Sequence, residues 1–311
     1  MIEFLRPEPP YMAAALILAL VMDFVYPEHR GLTLKLHPVH TSYFMALALA
    51  KPYSGMFRGV IVWAIVMASH LAPAALILFI AYEISPLLWV LIASLTLKLS
   101  LSLRLLLEIC YKAYVGLRKC RLDEGRMWVQ MIVRRDVYKL GKHHVTSACI
   151  ESLSESLVDG FTSPLTYYIL LGPLGALAQR IVNTLDGAIG YKTLEYENVG
   201  WFSAKMDTII NYIPARLTAA MIIALSPLAK GSPWKALKVW TTYSRVTESL
   251  NAGHPISAVA GALEVKLEKP GHYTVNVEAR YPEPEDVKRA LTIVLTTAAI
   301  YTLLAAVILI I

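Results

Sequence analysis

Charged residues are scarce in this sequence. Asp, Glu, Lys and Arg make up 17% of its 311 residues and hydrophobic residues 56%, whereas an ordinary soluble domain has about 25% charged residues. This balance argues against a soluble globular protein and predicts an integral membrane protein. Cysteine is scarcer still, with three residues in the chain. Three cysteines without paired spacing predict reduced thiols on a cytoplasmic face rather than a disulfide framework.

The sequence also lacks the common catalytic and nucleotide-binding signatures. It contains no G-x-x-x-x-G-K-[ST] loop, no G-x-G-x-x-G after a strand, no H-E-x-x-H and no G-x-S-x-G. Its eight histidines show no zinc-ligand spacing. Any use of a nucleotide must therefore involve a site that these motifs do not describe.

Four long apolar runs predict membrane-spanning helices, because about 20 apolar residues cross a bilayer. The runs are residues 11–26, 60–81, 86–107 and 291–311. The first run is short, and the third carries Lys98 and Arg104. No small-residue cleavage site follows the first run, so we expect a retained membrane segment rather than a signal peptide.

Two further apolar stretches, 161–179 and 208–228, are weaker candidates because proline, glycine or polar residues interrupt them. We expect both to be re-entrant or buried against protein. All the polar motifs would then share one face of the membrane. The alternative is that both stretches span, which would place the segment between them on the opposite side.

A basic block lies between Lys98 and Lys142, with eleven Lys and Arg residues and four acids. Such a block beside membrane segments predicts a cytoplasmic, positive-inside flank in a multi-pass protein of the cell membrane. Its second interpretation is a docking surface for phosphorylated or anionic ligands. Nucleic acid is not expected as a partner, because no nucleic-acid-binding motif accompanies the charge.

These patterns predict a mainly α-helical, polytopic membrane protein with about four to five hydrophobic helices. We expect a single membrane-embedded domain over residues 1–311. Its regions would be N-terminal membrane helices (1–107), a basic block and core (108–228), a polar loop (229–290) and a C-terminal transmembrane helix (291–311). Within the polar loop, Leu263, Val265 and Leu267 alternate with charged residues, as do Tyr273, Val275 and Val277 with polar ones. This alternation predicts a small β-hairpin.

An acidic stripe is the most informative feature of the core. Glu151, Glu155 and Asp159 recur every four residues and so share one face of a helix. Like charges at this spacing repel, and ionisable groups in apolar sequence are functional by default. A cation is needed nearby, either Mg²⁺ or the Lys and Arg residues on both sides. The alternative interpretation is a solvated helix face.

Two polar clusters follow the stripe. In the segment NTLDGAIGYK, Asn183, Asp186 and Lys192 accompany two glycines that would permit close approach of a ligand. Asp-Gly is also ordinary turn chemistry, so both interpretations stay open. The second cluster lies in SAKMDTIINYIPARL. Its polar residues favour a site over a satisfied core network, and they are Lys205, Asp207, Asn211 and Arg216.

Several motifs stand in an order that closely resembles the CbiB/CobD family of cobalamin biosynthesis, the adenosylcobinamide-phosphate synthases. They are Asp23 with His37-Pro38-Val39, IVRRDVYKL (132–140), ESLSESLVDGFTSPL (151–165), VNTLDGAIGYK (182–192), SAKMDTIINYIPARL (203–217) and NAGHPISAVAGALEVKLEKPGHY (251–273). The resemblance covers nearly the whole chain, and several independent motifs carry it.

The resemblance implies a polytopic membrane ligase that forms a carbon–nitrogen bond. Its substrates would be adenosylcobyric acid, a corrinoid, and an amino alcohol, usually aminopropanol O-phosphate, joined as an amide at one corrin propionate. ATP and Mg²⁺ are the implied co-substrate and cofactor. Beyond the lipid bilayer, other membrane enzymes of the cobalamin pathway are possible partners.

The resemblance and the charge pattern together predict site residues. The predicted catalytic residues are Glu151, Glu155, Asp159, Asp186 and Asp207, of which Glu151, Glu155 and Asp159 are expected around Mg²⁺. The predicted substrate-binding residues are Arg135, Lys139, Asn183, Lys192, Lys205, Asn211, Arg216 and Asn251. Cations of this set would hold phosphate or propionate groups against developing charge.

The sequence departs from the family pattern at a few positions. The family usually has Gly-Asp-Pro shortly after its first aspartate, whereas Phe-Val-Tyr-Pro follows Asp23 here. Ser156 stands in place of the usual asparagine within the stripe. These departures leave all three acids of the stripe in place.

Two other classes of membrane protein could use such a charge pattern. A membrane prenyltransferase also binds Mg²⁺-pyrophosphate with spaced carboxylates, but it would require a second acidic motif of similar form. A transporter predicts acids within long spans and an internal repeat. Here the acids fall between the predicted spans and no repeat is evident.

Overall fold

The structure, a computed structural model, describes residues 3–311, and nearly all of its regular structure is α-helical. In chain order the helices are α1 (Pro9–Val25), α2 (Leu32–Lys35), α3 (Pro38–Ala50), α4 (Met56–Ile84), α5 (Pro86–Lys98), α6 (Leu103–Arg118), α7 (Leu122–Gln130), α8 (Lys142–Leu157), α9 (Ser163–Ile189), α10 (Trp201–Ile210), α11 (Tyr212–Leu225), α12 (Pro233–Tyr243), α13 (Gly253–Leu263) and α14 (Pro284–Ile310). Short 3₁₀ helices cover Val137–Lys139 and Ser226–Ala229, and a π-helix covers Val158–Thr162. Two strands, β1 (Leu267–Lys269) and β2 (Tyr273–Val275), complete the fold.

The chain divides into two compact units, each built from discontinuous segments. Unit 1 comprises Met1–Ser102, Asp159–Ile210 and Thr302–Ile311, and unit 2 comprises Leu103–Val158 and Asn211–Tyr301. The region boundary predicted after residue 107 lies close to the change of unit after Ser102. The predicted core region 108–228, however, is divided between both units. The single-domain organisation stays a prediction.

Five helical stretches of the described chain are long and apolar enough to cross a membrane. They are Met56–Ile84, Pro86–Arg118, Lys142–Ile189, Tyr212–Ala229 and Pro284–Ile310. The first, second and fifth contain three of the predicted spans, and the predicted run 11–26 forms the shorter α1. The mainly α-helical, polytopic fold is therefore confirmed. The weaker stretch 161–179 lies within Lys142–Ile189, and the stretch 208–228 overlaps Tyr212–Ala229. Their re-entrant character stays a prediction.

Proline marks the start of several helices. Pro38, Pro86 and Pro233 stand in the first turn of α3, α5 and α12, where a missing N–H costs nothing. The preceding residue supplies a cap in each case. Ser85 Oγ accepts from the Leu87 N–H at 3.2 Å, and the imidazole of His37 caps α3 in the same way.

Unit 1 packs α1 against α5, and it packs α3, α4 and α10 against α9. Its core lies mainly between α3, α4 and the second half of α9. The helix α9 is broken at Gly172, which has φ +68° and ψ −160°. A Cβ at this position would lie 1.9 Å from the Leu5 carbonyl oxygen, so glycine alone fits both the conformation and the space.

Unit 2 packs α6 against α7 and α8, and α13 against α8, α11 and α12. The predicted hairpin is confirmed: β1 and β2 are antiparallel, with Leu267 opposite Val275 and Lys269 opposite Tyr273. The strands are shorter than the alternation predicts. Leu263 belongs to α13 instead, because the left-handed Glu264 (φ 57°) ends that helix just before the hairpin.

Candidate functional site

A buried carboxylate organises the first candidate site, which lies in unit 2. Glu151 is 4% exposed and accepts three hydrogen bonds from side chains. Arg135 Nη2 lies 3.0 Å and Tyr273 Oη 2.8 Å from its Oε2, while Ser147 Oγ donates to Oε1 at 2.6 Å. We call Arg135, Ser147, Glu151 and Tyr273 the Glu151 network. These donors compensate the carboxylate for the contacts with water that burial removes.

Local structure explains how these side chains meet. Ser147 and Glu151 are one turn apart on α8, and the Glu268 N–H donates to Ser147 Oγ at 2.7 Å, which ties β1 to α8. The hairpin then places Tyr273, the first residue of β2, over the carboxylate. Arg135 precedes the 3₁₀ helix Val137–Lys139, whose first N–H donates to the side chain of Gln130 at 3.0 Å.

Within the Glu151 network, Arg135 has an N–H donor that makes no hydrogen bond. Arg135 Nη1 is buried and has no hydrogen-bond partner. Burial and the Glu151 charge raise the pKa of Tyr273, so its phenol stays protonated and donates. A half-buried guanidinium with an unused N–H can bind an oxygen of a carboxylate or phosphate.

The other members of the predicted stripe have different surroundings. Glu155 is exposed and lies within electrostatic range of Tyr273. Asp159 is half-buried and belongs to unit 1. The α-helical spacing that predicts the stripe holds from Glu151 to Glu155, but the backbone becomes a π-helix at Val158.

The donor set can be tested against Mg²⁺. Within residues 3–311 no group of three or more His, Cys, Asp or Glu side chains could hold a metal ion. Both oxygens of Glu151 accept hydrogen bonds from protein donors in this arrangement, and a ligand role for Glu151 stays a prediction. Glu155 fits a ligand role, since Mg²⁺ is commonly held by one or two carboxylates together with substrate phosphates. The predicted three-carboxylate site stays a prediction.

A second candidate site lies in unit 1. Lys98, at the end of α5, is 3% exposed, and Asp23, near the end of α1, is 4% exposed. Lys98 Nζ is hydrogen-bonded to His29 Nε2, and the His29 ring meets that of His37 edge-on with centroids 4.6 Å apart. Asp23 lies within electrostatic range of Lys98.

Arg180 on α9 completes this second site. Its Nη1 donates to the Asp159 carbonyl oxygen at 3.4 Å, and both Asp159 and Asp23 lie within electrostatic range of its charge. Its Nε is buried without a hydrogen-bond partner. We call the six residues of this site the Lys98 cluster: Asp23, His29, His37, Lys98, Asp159 and Arg180.

Both imidazoles of the Lys98 cluster are held neutral. Burial, reinforced by the positive charge of Lys98, lowers the pKa of His29. Burial, with smaller contributions from His29, Arg180 and Lys98, lowers the pKa of His37 to about 3. His37 Nδ1 accepts the Val39 N–H at 3.2 Å, so its ring also serves as the N-cap of α3.

The predicted cluster around Asn183 is partly assembled, also in unit 1. Asn183 Nδ2 donates to Asp207 Oδ1 at 3.1 Å, which joins α9 to α10. Asp186 is half-buried near the end of α9. A Cβ at Gly190 would lie 2.0 Å from Asp186 Oδ1, so the glycine there makes room for the carboxylate.

A further group of polar side chains lies in unit 2. Arg216 Nη1 lies 3.4 Å from Asn251 Oδ1, and its guanidinium lies 3.3 Å from the centre of the Tyr212 ring. His254 Nδ1 accepts from Trp240 Nε1 at 2.9 Å. Burial, with the nearby charges of Arg216 and Arg245, lowers the pKa of His254 to about 4.

The remaining predicted residues are dispersed. Asn211 is fully buried at the start of α11. Lys192 and Lys205 are exposed. Lys139 is 84% exposed at its side chain and pairs with Asp136 at 3.3 Å. Substrate-binding roles for these residues stay predictions.

Several residues of the two sites are not among the sequence-predicted site residues. Tyr273 could not be assigned, because its link to Glu151 depends on the hairpin folding back onto α8. Ser147 lies one turn before Glu151 on α8, and this spacing is a signal that the sequence offers. The sequence offers a signal for the Lys98 cluster, because Lys98 lies within the mostly apolar run 86–107. An ionisable residue is costly in such a run and marks function.

The described chain therefore defines a mainly α-helical, multi-pass membrane protein that carries buried charged sites. Comparison with known sequences places it within one family. The CobD/Cbib protein family model matches residues 16–294, and the chain belongs to that family.

Individual relatives agree with this assignment. The chain is 52% identical over 302 residues to a probable cobalamin biosynthesis protein CobD of Aeropyrum pernix, covering 97% of this chain and 94% of the relative. It is 36% identical to a protein of the same description in Thermoplasma volcanium, covering 93% and 95%. A cobalamin biosynthesis protein CobD of Dehalococcoides mccartyi is 30% identical, covering 93% and 94%. No solved structure matches the chain.

Proposed function

We propose that this protein is an enzyme of cobalamin biosynthesis that attaches an amino alcohol to a corrinoid. In the proposed reaction a propionate of adenosylcobyric acid and the amine of aminopropanol O-phosphate form an amide bond, with ATP as co-substrate. Family membership over residues 16–294 supports the pathway. The observation that carries the chemistry is the Glu151 network, which holds Arg135 with an unused buried N–H.

Amide formation from a carboxylate requires activation. Transfer of the γ-phosphoryl group of ATP to the propionate would give an acyl phosphate and ADP. Attack of the amine would then form the C–N bond and release inorganic phosphate, with one proton lost from the amine. In this scheme Arg135 binds an oxygen of the propionate or of the transferred phosphate, because a guanidinium stabilises the charge that develops there.

The other members of the Glu151 network act by positioning. Ser147, Tyr273 and Glu151 fix the orientation of Arg135, whose charge would otherwise be costly in a half-buried place. When bound, Mg²⁺ would neutralise phosphate charge, and Glu155 is an exposed carboxylate, one turn from Glu151 on α8, that would hold it. The catalytic roles predicted for Asp159, Asp186 and Asp207 form part of the same proposal.

We also propose that the protein resides in the cell membrane with its active face in the cytoplasm, where ATP is available. The basic block between Lys98 and Lys142 supports this orientation. Cysteine labelling tests it, with Glu195→Cys placed in a chain whose exposed Cys120 is replaced by serine. Labelling of intact cells by an impermeant reagent would contradict a cytoplasmic location for residue 195.

The reaction is tested with purified protein in detergent. The assay contains adenosylcobyric acid, aminopropanol phosphate, ATP and Mg²⁺, and the product is identified by mass spectrometry. Product with the mass of the phosphorylated amide, formed only with Mg²⁺ and ATP, is the expected result. Absence of product with phosphorylated and free amino alcohols, in a preparation that is folded and monodisperse, would contradict the proposal.

A matched pair of variants tests the role of Glu155. Glu155→Gln removes a charge at an exposed position, so we expect normal yield and thermal stability but product formation reduced at least 100-fold. Glu278→Gln is the control, since Glu278 is an exposed glutamate of the same unit outside the network. Near wild-type turnover in Glu155→Gln would remove this carboxylate from the mechanism.

A further inference from the structure

The Lys98 cluster contains buried charges that the Glu151 network does not use. Lys98 and Asp23 are almost completely buried although both side chains are ionisable and their charges are opposite in sign. Burying an ionised group is expensive unless hydrogen bonds and opposite charges compensate it. A cluster of this kind, maintained within apolar sequence, points to a bound polar ligand.

His29 offers one hydrogen-bond donor to such a ligand. An ammonium group has only donors, so Lys98 Nζ donates to Nε2 of the neutral His29 ring. The ring proton then lies on Nδ1. That atom is buried and has no hydrogen-bond partner, and a buried donor without an acceptor is energetically unfavourable.

Arg180 offers a second donor. Its Nε is also buried without a hydrogen-bond partner, and its one long hydrogen bond uses Nη1. Arg180 and His29 belong to the same cluster because both act electrostatically on His37. Two unused donors beside two cations suit the oxygen atoms of a phosphate group.

The acids of the cluster restrict what that ligand can be. Asp23 and Asp159 balance Lys98 and Arg180, and both imidazoles are neutral, so the cluster has no excess charge. A simple anion would upset this balance. A zwitterion would preserve it, because its cationic end interacts with the acids and its anionic end with the bases.

We propose that the Lys98 cluster binds the amino-alcohol phosphate substrate. Its phosphate oxygens accept hydrogen bonds from Arg180 Nε and His29 Nδ1, and its ammonium group faces Asp23 and Asp159. This assignment rests on the proposed function and adds the site that recognises the second substrate. It gives roles to Asp23, His29, Lys98 and Arg180, none of which is among the sequence-predicted site residues.

Direct binding tests the assignment without turnover. Isothermal titration is carried out on the full chain in detergent, without corrinoid, ATP or Mg²⁺. The probes are aminopropanol phosphate, inorganic phosphate and aminopropanol. We expect aminopropanol phosphate to bind at least tenfold more tightly than either of the other two, because it alone engages both ends of the cluster.

Variants then locate the binding. His29→Gln and Asp23→Asn are each expected to weaken binding of aminopropanol phosphate at least tenfold. His272→Ala is the matched control, since it removes an exposed imidazole from unit 2. If Asp23→Asn does not fold, His29→Gln still tests the assignment. His29 lies in the connection between α1 and α2 and not within a helix.

The assignment would be overturned if aminopropanol phosphate did not bind, or if inorganic phosphate bound with equal affinity. It would also be overturned if binding of aminopropanol phosphate survived in His29→Gln but was lost in Arg135→Met. The proposed reaction is judged separately by product formation. Specific binding without product would overturn the reaction and support the site. Product formation with an unchanged KM for aminopropanol phosphate in His29→Gln would overturn the site and leave the reaction standing.

Discussion

The Glu151 network and the Lys98 cluster both bury charge, but they satisfy it differently. In the Glu151 network one carboxylate accepts hydrogen bonds from three side chains within 3.0 Å, so each of its oxygens has a protein donor. In the Lys98 cluster charges of both signs surround two neutral imidazoles, and two donor atoms have no acceptor. The first arrangement fixes a side chain in place, whereas the second has capacity for a ligand.

This difference indicates a division of labour. A satisfied buried network rigidifies its members, which suits the positioning of Arg135 toward a reacting group. An incompletely satisfied cluster is stabilised when a ligand supplies the missing acceptors. Substitutions in the Glu151 network should therefore affect the protein even without substrate. Substitutions in the Lys98 cluster should act mainly through substrate binding.

Glu151→Gln is the most severe test of the comparison. It keeps the shape of the side chain but leaves Arg135 without its carboxylate, and breaking a buried pair costs about 3 kcal/mol or more. We expect a fall in free energy of unfolding of about 3 kcal/mol and loss of product formation. Thermal unfolding in detergent and the mass-spectrometric assay measure the two effects.

The contrast with Glu155→Gln provides the control for this prediction. The two residues are one turn apart on α8, but only Glu151 is buried. A Glu151→Gln protein with wild-type thermal stability would show that the network contributes nothing structural. The distinction between a positioning network and a ligand-binding cluster would then fail.

Acid should destabilise unit 1 through His37. Its pKa is about 3 in the folded protein, below the ordinary value of 6.5. The unfolded chain therefore binds a proton below pH 6.5 that the folded protein does not bind, and stability falls as the pH drops from 6.5 toward 3. The limiting slope is about 1.4 kcal/mol per pH unit, which gives about 2 kcal/mol at pH 5.

His37→Asn isolates this contribution, because asparagine can replace the ring as the N-cap of α3. We expect the thermal stability of the variant to fall less steeply than that of wild type between pH 7 and pH 4. Parallel curves would show that His37 does not titrate on unfolding. His254→Gln is the corresponding test in unit 2, where the pKa of His254 is about 4.

The sequence predicts the helical membrane fold and the hairpin well, because hydrophobic run length and residue alternation are local signals. It also singles out Glu151 and Arg135, which the structure places 3.0 Å apart, although their predicted metal and substrate roles stay predictions. It could not assign Tyr273, because the contact of Tyr273 with Glu151 requires residues more than 100 positions apart to meet in space. The four-residue spacing also cannot distinguish the burial of Glu151 from that of Glu155, because tertiary packing determines which carboxylate is buried.

The predicted residues are also unequal in their surroundings. Asn183 and Asp207 meet across two helices, as their shared polar motifs suggest. Lys192 and Lys205 remain on the surface. A lysine beside a motif is weak evidence for a binding role, because its long side chain reaches solvent from most helix positions.

Tyr273→Phe tests how much the Tyr273 hydroxyl contributes to the Glu151 network. The raised pKa of Tyr273 keeps its phenol protonated, so the substitution removes one donor while Arg135 and Ser147 remain. A hydrogen bond to a charged group contributes about 1.5 kcal/mol, and we expect a loss of stability of that size with reduced turnover. Tyr281→Phe is the control, since its hydroxyl lies 3.4 Å from Glu268 and is exposed. Equal losses in both variants would contradict a special role for Tyr273.

Lys139→Met should have the smallest effect on stability. Lys139 pairs with Asp136 at 3.3 Å, and the two side chains are 84% and 49% exposed. Exposed ion pairs contribute little, because solvent and salt screen them, so we expect a change below about 0.5 kcal/mol in free energy of unfolding. The KM for the phosphorylated substrate is measured on the same protein. A KM raised several-fold with unchanged stability would support the substrate role predicted for Lys139. An unchanged KM would remove Lys139 from the site.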